Sequence, residues 1–593
     1  MAQYSEGVRY VIVNGQVVLD DGEVHERQTG AAHTTPGITF CDRGHVMIIR
    51  ALSVRLAALL LIAAAPTQAQ VANARELTGT ARSRDGMVVT GSAYASEAAA
   101  RVLGAGGNAV DAAVTAAFVL GVVEPSMSGI GGRTQILLRT RTGEFVGIDG
   151  TTQVPASYPG GAGSRGESTY GYESIAIPGT VAALVSAARR YGSWPLERVL
   201  EPAIQLAENG FAIPPPEADR IAGIAAQLRE FEGTRHYFLK PDGSPFRAGE
   251  PFRQPDLART LRRIAARGAA GFYLGETAEA IARDHKAHGG FITAADLQRY
   301  GIQDALIVRG SYRDHTLIGT YLPASGATTI EAMQILQHFD VPAFAGSARW
   351  ASIVAQSLLL SFDDRDSTME PASRKAAWLT SKELAALRAR AIADRGARIG
   401  DRGLHSPDDE PEHTTHLSVV DRNGMVVTLT QSVGPLMGSR VAAPGLGFLY
   451  AATMGYLGTT RPGDRPFSSQ SPLIVMEGNQ PVYVLGAAGA RRILSAIVQT
   501  LSRAIDQKLP LYQAMALPRF HPTASQIEIE VRSGTAWSTS ALDSIRQMGF
   551  TVRPRDDAPY FARINGIGYD LLAGEWIGVA DSRWQGAASG PIR

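Results

Sequence analysis

The sequence predicts an α+β fold, and three observations carry that prediction. The 593 residues are 45% hydrophobic and include 63 glycines, a composition typical of a compact globular chain with a sizeable core. Alanine-rich segments with helical spacing dominate the first two-thirds of the chain, and alternating strand patterns dominate from Thr414 onward. Helices followed by strands fit either two domains or one layered domain whose sheets take strands from both parts.

Glycine-rich turns separate the predicted helices. Gly106-Gly107-Asn108 divides a long helical pattern, Ala95–Val123, into two helices. The turn SGIGG, Ser128–Gly132, then leads into a strand, and because no GK[ST] follows it we do not interpret it as a nucleotide-binding loop. Further helices are predicted at Gly179–Tyr191, Leu196–Asn209, Asp256–Ala266, Thr277–His288, Thr329–His338 and Arg492–Gln507.

Charge and cysteine content exclude several classes of function. Lys+Arg number 57 and Asp+Glu 56, so the net charge of +1 does not favour nucleic acid or an acidic membrane surface, and a small-molecule or peptide substrate is expected. Cys41 is the only cysteine, which excludes a disulfide framework, a thiolate zinc site and an iron–sulfur cluster. His413 and His416 have HxxH spacing, but on a strand they point to opposite faces, so we predict no metal and no cofactor.

The N-terminal region resembles a targeting segment preceded by an unrelated extension. From Met47, arginines precede the apolar run Leu56–Ala65 and the small residues before Ala69, which predicts a signal peptide over residues 47–69 and a periplasmic or secreted protein. The run is short for a bilayer span, so a retained anchor is the lesser alternative and no stable membrane anchor is expected. Residues 1–46 resemble the C-terminal tail of an N-acyl-D-amino-acid deacylase and are too short for its barrel; we interpret them as an extension from a wrong start and assign them no function.

The stretch EHTTHLSVVDRNG, from Glu412, places two threonines at the start of a predicted strand. A polar, loop-like segment, Gly396–His413, precedes them, and such segments are where chain cleavage concentrates. A two-residue turn of type I′ at Asn423-Gly424 would place Ser432 opposite Thr415 and within one residue of Thr414 across the hairpin. A Thr–Ser hydrogen bond without catalytic meaning is the structural alternative.

Cleavage of the His413–Thr414 bond would give Thr414 two catalytic groups. Its hydroxyl would be a nucleophile, and its new α-amine, with a pKa of about 8, would serve as the base. This chemistry needs no histidine or carboxylate partner, and the sequence does not indicate a Ser-His-Asp triad.

Seven motifs in order resemble the γ-glutamyltranspeptidase (glutathione hydrolase) family of N-terminal-nucleophile hydrolases. The resemblance implies a four-layer αββα sandwich that cleaves itself into a large subunit, residues 70–413, and a small subunit, residues 414–593, which remain together as a heterodimer. The motifs are GGNAVDAAV at Gly106–Val114, IPGTVAAL at Ile177–Leu184, YGSWPLERVLEPAIQLAENGF at Tyr191–Phe211, GGFITAADLQRY at Gly289–Tyr300, TTHLSVVDRNG at Thr414–Gly424, RPFSSQSP at Arg465–Pro472 and LPRF at Leu517–Phe520.

The resemblance also implies roles for individual residues. The nucleophile falls on Thr414 and its supporting hydroxyl on Ser432, where the family has threonine. The two oxyanion-hole glycines fall on Gly489 and Ala490, whose backbone N–H groups serve equally if the dihedral angles allow it. The substrate-contacting serine pair falls on Ser468 and Ser469, with turn capping before a strand as the alternative.

The sequence departs from the family where the family recognises glutamate. Thr151 stands in place of the arginine that holds the α-carboxylate, Tyr456 in place of the aspartate that holds the α-amine, and Gly434 in place of an asparagine. Without these partners a buried zwitterion would leave its charges unpaired. Arg133, where the family usually has glycine, is either an alternative cation for an acidic acyl group or a surface arginine.

The expected function is therefore that of a self-processing amide hydrolase or acyltransferase with altered acyl specificity. Family members with altered pockets hydrolyse the acyl side chains of cephalosporins and small dicarboxylic monoamides. A conventional glutathione hydrolase is the alternative, and a non-catalytic binding protein on the same fold is an alternative of another class.

Overall fold

The computed structural model describes residues 10–13, 16–20, 23–24, 78–159, 170–344, 346–367, 369–394, 413–454, 461–523, 526–531, 537–556 and 560–593. The chain divides into two units, Met1–Thr67 and Gln68–Arg593. In the first unit, the stretch that resembles a deacylase tail forms three antiparallel strands in the order β1 (Tyr10–Val13), β2 (Gln16–Asp20) and β3 (Glu23–Val24).

The described part of the second unit contains eighteen α-helices and two short 3-10 helices, Tyr172–Ser174 and Val341–Phe344. The α-helices are α1 Ala93–Gly104, α2 Ala109–Val123, α3 Thr180–Tyr191, α4 Leu196–Asn209, α5 Pro215–Gly223, α6 Ala225–Leu228, α7 Glu232–Phe238, α8 Pro255–Arg267, α9 Ala270–Tyr273, α10 Gly275–Ala287, α11 Ala294–Arg299, α12 Gly326–Leu336, α13 Ala348–Asp366, α14 Ala372–Leu379, α15 Lys382–Asp394, α16 Arg492–Asp506, α17 Leu511–Ala516 and α18 Thr539–Gln547.

The strands of this unit come from both sides of Thr414. They are β4 Thr80–Ser83, β5 Gly86–Thr90, β6 Arg133–Arg139, β7 Phe145–Gly150, β8 Phe211–Ala212, β9 Pro251–Phe252, β10 Gln303–Asp304, β11 Leu306–Tyr312, β12 His315–Tyr321, β13 His413–Asp421, β14 Val426–Gly434, β15 Leu473–Glu477, β16 Gln480–Leu485, β17 Ala487–Ala488, β18 Phe520–Thr523, β19 Gln526–Glu530, β20 Thr551–Arg555, β21 Arg563–Asp570, β22 Glu575–Ala580 and β23 Ala587–Ser589.

Two large sheets form the centre of the fold. We call the sheet with strand order β10-β7-β6-β14-β13-β5-β23 the nucleophile sheet, because its strand β13 carries the predicted nucleophile Thr414. We call the sheet with order β11-β12-β15-β16-β21-β22-β4 the facing sheet, in which β17 also pairs with β21. Small sheets β18-β19-β20 and β8-β9 lie outside these two.

Apolar side chains hold four layers together. Met87, Leu137 and Val420 of the nucleophile sheet pack against Ile474 and Val484 of the facing sheet in one buried cluster. Helices α1, α2, α3, α4 and α8 cover the other face of the nucleophile sheet, and α12, α13 and α16 cover the other face of the facing sheet. The fold is therefore an α+β, αββα sandwich, as the family resemblance implied.

Local sequence signals explain where the predicted helices begin and end. The break at Gly106-Gly107-Asn108 separates α1 from α2 because Asn108 and Asp111 form a reciprocal N-terminal cap. The remaining predicted helices lie within three residues of their predicted bounds. Of the two arrangements left open, the structure has the single layered one, since β6 pairs with β14 and β5 with β13. Among the described residues, no helix is both long and apolar enough to cross a bilayer.

Candidate active site

The hairpin that carries Thr414 has a register one residue away from the predicted one. β13 and β14 pair Thr414 with Ser432, so the loop has three residues, 422–424, rather than two. The prediction that Ser432 lies opposite Thr415 was wrong, and the correction places the two hydroxyl groups directly across from each other on the same face of the sheet.

Asp421 accounts for the longer loop. Its carboxylate accepts the backbone N–H groups of Asn423 and Met425 at 2.8 and 3.1 Å, and Gly424 takes a φ of 80°. A three-residue loop closed by a glycine in the left-handed region is a common hairpin connection, and it replaces the expected type I′ turn.

A short chain of hydrogen bonds connects the Thr414 hydroxyl to the preceding carbonyl group. Thr414 is 1% exposed, and its Oγ1 donates to Ser432 Oγ at 3.1 Å. Ser432 Oγ donates to the His413 carbonyl oxygen at 2.9 Å and accepts the Gly434 N–H at 2.9 Å. The carbonyl of the expected cleavage site thus accepts a hydrogen bond from Ser432, which also orients the hydroxyl group of the predicted nucleophile.

The space between the two sheets is polar at the Thr414 end and apolar at the hairpin end. His416, two residues along β13, contacts Thr430 Oγ1 at 2.8 Å through Nδ1 and Thr428 Oγ1 at 3.2 Å through Nε2. Burial lowers the pKa of His416 to about 3, so the imidazole is neutral. His416 is a hydrogen-bonding element of the core. In the described residues, no three His, Cys, Asp or Glu side chains are grouped so that they could hold a metal ion.

Strand pairing places four of the predicted site residues in one row across the nucleophile sheet. Thr414 pairs with Ser432, and Ser432 with Arg133. The next pair along β6 and β7, Thr134 with Gly150, brings Thr151 beside Arg133. Because strands lie about 4.8 Å apart, Arg133 is one strand closer to Thr414 than is Thr151, the residue predicted to replace the family's arginine.

Arg133 is a core residue rather than a surface one. It is 0% exposed because β6 lies in the middle of the sheet and the side chain faces the second sheet. The alternative of a surface arginine is therefore wrong. Its Nη1 makes a long contact, 3.5 Å, with the carbonyl oxygen of Phe467, the residue before the predicted serine pair.

The two predicted serines differ in their surroundings. Ser468 is buried, its Oγ accepts the Gln470 N–H at 3.1 Å, and its backbone N–H donates to Pro323 O at 2.9 Å, so the turn-capping interaction is present. Ser469 is half-buried, and its Oγ accepts from Arg365 Nη1 at 3.4 Å. In the segment Phe467–Ser469, which we call the serine loop, Arg133 thus contacts the first residue and Arg365 the last.

Thr151 fills the position of the family's arginine without charge. It is 0% exposed, and its Oγ1 accepts from Gln135 Nε2 at 2.8 Å. Its N–H donates to Asp149 Oδ1 at 2.8 Å, and Asp149 Oδ2 forms an ion pair with Arg465 Nη1 at 2.8 Å. The charges around Thr151 are therefore paired with each other.

Gly489 and Ala490 form the turn that leads into α16. Their φ angles are 138° and 53°, so Ala490 adopts the left-handed region that side chains rarely enter. In the described part of the chain neither backbone N–H donates to a protein acceptor. Two N–H groups at the start of a fifteen-residue helix suit the stabilisation of an oxyanion.

A bridge of charged side chains, which the sequence did not indicate, joins this turn to the serine loop. Asp366 accepts Arg365 Nε at 3.0 Å and Arg491 Nη2 at 3.1 Å. Arg491 directly follows Ala490, and Arg365 contacts Ser469. Asp366 itself is exposed, and an arginine-aspartate pair on a helical pattern is typical of a solvated surface, so the sequence alone could not indicate the bridge.

Three predicted features fall on parts of the chain that are not described. Tyr456 and the polar segment before the expected cleavage point, apart from His413, lie outside the described residues, as does the predicted signal peptide. His413 is the first residue of β13 and is partly buried.

Comparisons with known proteins show which family the chain belongs to. A family model described as Gamma-glutamyltranspeptidase matches residues 95–591. A glutathione hydrolase proenzyme of Pseudomonas sp. (strain A14) is 32% identical over 75% of this chain and 83% of the relative. The Acylase ACY 1 proenzyme of Pseudomonas sp. (strain V22) is 35% identical over 75% of this chain and 84% of the relative.

A solved structure has the same fold over nearly its whole length. The cephalosporin acylase from Bacillus halodurans superposes with a TM-score of 0.76 at 25% identity, covering 86% of this chain and 96% of the acylase. The region that the family model matches, residues 95–591, includes the hairpin, the serine loop and the turn before α16. The chain belongs to the gamma-glutamyltranspeptidase family and is an enzyme of its hydrolase class.

Proposed function

We propose that this chain is a self-processing amide hydrolase in which Thr414 becomes an N-terminal nucleophile. The observation that carries the proposal is the hydrogen-bond chain from Thr414 Oγ1 through Ser432 Oγ to the His413 carbonyl oxygen. It aligns a hydroxyl group, a polarising donor and the carbonyl of the bond to be cut. The relatives named as proenzymes support a precursor that is cut.

In the processing step, Thr414 Oγ1 adds to the His413 carbonyl carbon while its proton passes toward the departing nitrogen. The peptide C–N bond then breaks, which leaves an ester on Thr414 Oγ1 and a free α-amine on the same residue. Water hydrolyses the ester, giving a carboxylate on His413 and restoring the Thr414 hydroxyl. We expect the two fragments, residues 70–413 and 414–593, to remain a heterodimer.

The mature enzyme would repeat this chemistry on an external amide. The Thr414 α-amine takes the hydroxyl proton, Oγ1 attacks the substrate carbonyl, and the protonated amine returns the proton to the leaving nitrogen. The N–H groups of Gly489 and Ala490 stabilise the oxyanion, and each such donor contributes about 3 kcal/mol in comparable sites. Water or an acceptor amine then releases the acyl group.

Acyl specificity follows from the row of residues beside the nucleophile. Arg133 offers a buried cation one strand away from Ser432, and Arg365 contacts Ser469 of the serine loop, whereas Thr151 carries no charge. We therefore propose an acyl group that ends in a carboxylate, as in a small dicarboxylic monoamide. A γ-glutamyl donor is the second candidate, because several relatives are named glutathione hydrolases.

A denaturing gel tests the proposal and separates it from a non-catalytic binding protein. The wild-type protein should run as two fragments, whereas Thr414→Ala should remain one chain because it lacks the hydroxyl nucleophile. Thr414→Ser is the matched control and should still be cut. An intact wild-type chain would contradict the mechanism.

The predicted signal peptide from Met47 further leads us to propose a periplasmic or secreted location.

A further inference from the structure

The C-terminal turn of α13 contacts both the serine loop and the turn that leads into α16. Its last residue, Asp366, accepts Arg365 Nε on one carboxylate oxygen at 3.0 Å and Arg491 Nη2 on the other at 3.1 Å. Arg365 Nη1 also donates to Ser469 Oγ at 3.4 Å, and Arg491 directly follows Ala490. A single carboxylate therefore connects two loops to which we assign different tasks, acyl contact and oxyanion stabilisation.

Phe362, one turn earlier on α13, contacts the same two arginines. Its side chain is buried, and the guanidinium carbons of Arg365 and Arg491 lie 5.4 and 5.5 Å from the centroid of its ring. Both distances are within the range of cation–π attraction. The side chain of Arg491 is thus held by an aromatic ring and a carboxylate on the same helix.

Neighbouring helices stabilise the end of α13 itself. Lys375 of α14 is buried, and its Nζ donates to the carbonyl oxygens of Arg365 and Ser367. Asp364 forms an ion pair with Arg388 of α15. Because these contacts do not involve the carboxylate of the bridge, we expect the helix end to keep its position when that carboxylate is replaced.

The turn before α16 depends on support from other segments. Ala490 has a φ of 53°, in the left-handed region, and such a conformation persists only where surrounding contacts enforce it. One such contact is with Ala562, since a Cβ atom on Gly489 would lie 2.8 Å from Ala562 Cα. The ion pair between Asp366 and Arg491 is a second one, because it holds the residue that follows Ala490.

The exposure of this ion pair limits what it contributes to folding. The side chain of Asp366 is 48% exposed and that of Arg491 23%, and solvent screens such a pair, so it adds little stability. Catalysis is more sensitive to geometry, because a displacement of about 1 Å at a reacting group can cost about 100-fold in rate. The bridge should therefore affect the position of the turn more than the stability of the fold.

We propose that Asp366 is a positioning residue for the oxyanion site. By holding Arg491 against α13, its carboxylate keeps the N–H groups of Gly489 and Ala490 at a fixed distance from the serine loop. An acyl group bound at the serine loop then has its carbonyl oxygen at these N–H groups when Thr414 attacks. The proposal rests on the proposed function, since it requires an acyl-Thr414 intermediate and an oxyanion at this turn.

The test compares kcat and KM of the processed proteins with glutaryl and γ-glutamyl 4-nitroanilides. On whichever anilide the wild type hydrolyses, Asp366→Asn should lower kcat by about tenfold and change KM by less than about twofold, because oxyanion stabilisation acts in the transition state. Asp366→Glu keeps the charge and should retain most of kcat. Asp304→Asn is the control, since it removes an exposed ion pair with Arg190, and it should keep the wild-type kcat.

A double-mutant cycle with Arg491→Gln assigns the effect to the ion pair. Both single variants and the double variant should have about the same kcat, because each of them breaks the same contact. In urea titrations, Asp366→Asn should unfold at the same midpoint as Asp304→Asn, which separates a positioning role from a structural one.

The positioning role would be overturned by a wild-type kcat in Asp366→Asn, by losses that multiply in the double variant, or by a urea midpoint lower than that of Asp304→Asn. An Asp366→Asn protein that folds but is not cut would also overturn it, since Asp366 would then act on the cleavage step. A wild-type chain that is neither cut nor active on either anilide would instead overturn the proposed function, and this proposal with it.

Discussion

At the scale of single residues, Ser432 has two tasks that the sequence could not separate. It orients Thr414 Oγ1 and polarises the His413 carbonyl through the same hydroxyl group. A buried hydrogen bond of this kind is worth about 1–3 kcal/mol when one partner is left unsatisfied. We therefore expect Ser432→Ala to slow self-cleavage by roughly 10- to 100-fold, measured as fragment appearance over time on a gel. Ser432→Thr, which keeps the hydroxyl, should cut at a rate close to wild type, and equal rates for all three proteins would contradict this role.

Arg133 sets the acyl preference if the row across the sheet is the acyl site. We expect Arg133→Met to lower kcat/KM for a glutaryl anilide by about 100-fold relative to a butyryl anilide, because a charge-assisted contact is lost only for the acid. The ratio of kcat/KM for the two anilides in Arg133→Lys should lie between the ratios of the wild type and Arg133→Met. The comparison is made on processed protein with both anilides in parallel. An equal loss of kcat/KM for both anilides would mean that Arg133 supports the fold and does not contact the acyl carboxylate.

At the scale of elements, the turn before α16 has a strained backbone where we predict that two N–H groups stabilise an oxyanion. Ala490 has a φ of 53°, a conformation that costs a residue with a side chain about 1–2 kcal/mol. Ala490→Gly should therefore raise the free energy of unfolding by about 1 kcal/mol in urea titrations and leave self-cleavage intact, since the N–H group remains. Ala488→Gly, in strand β17, is the matched control and should destabilise. If Ala490→Gly lowered the free energy of unfolding, the backbone of Ala490 would not be strained in the folded protein.

Elements with a strong local signal were predictable, and those set by distant partners were not. Helix α4 has the predicted bounds because its apolar spacing and the glycine that follows it are local features. The hairpin register depended on the Asp421 carboxylate, which no turn rule for Asn-Gly includes. The burial of Arg133 depended on strand order, since a lone arginine at the start of a strand pattern does not reveal that β14 and β7 flank it. The Arg365–Asp366–Arg491 bridge likewise joins two segments that are far apart in sequence.

At the scale of the whole molecule, burial of several histidines in neutral form makes stability sensitive to acid. The pKa values of His285 and His416 fall to about 3, and those of His413 and His521 fall well below the usual value, all chiefly through burial. Below pH 6.5 the unfolded chain binds protons that the folded chain does not, so stability is retained above pH 6.5 and lost as the pH falls toward 3. Each such histidine contributes on the order of 1 kcal/mol per pH unit in that window.

His285 allows this effect to be isolated. It is 0% exposed, and in the described residues neither ring nitrogen has a hydrogen-bond partner, while the ring packs edge-on against Tyr172 and Tyr450. The slope of unfolding free energy against pH reports how many more protons the unfolded chain binds than the folded chain. We expect His285→Phe to reduce this number by about one between pH 6 and 5, measured by urea titration at several pH values. An unchanged slope would mean that His285 does not remain neutral in the folded protein.

The interleaving of strands across the whole molecule also explains how a cut chain would stay together. Both large sheets contain pairs that join the two sides of residue 414, such as β6 with β14 and β12 with β15. Separating the fragments would break these ladders and expose the apolar layer between the sheets. We therefore expect the two fragments to co-elute in a native size-exclusion run and to separate only in denaturant.

The central claim is that Thr414 is both the point of cleavage and the nucleophile, and mass spectrometry of the purified protein tests it most directly. The small fragment should have the mass of residues 414–593 and an N-terminal threonine, and incubation with a substrate amide that turns over slowly should add one acyl group to that fragment at Thr414. A fragment that begins at any other residue, or an acyl group carried on another side chain, would contradict the account.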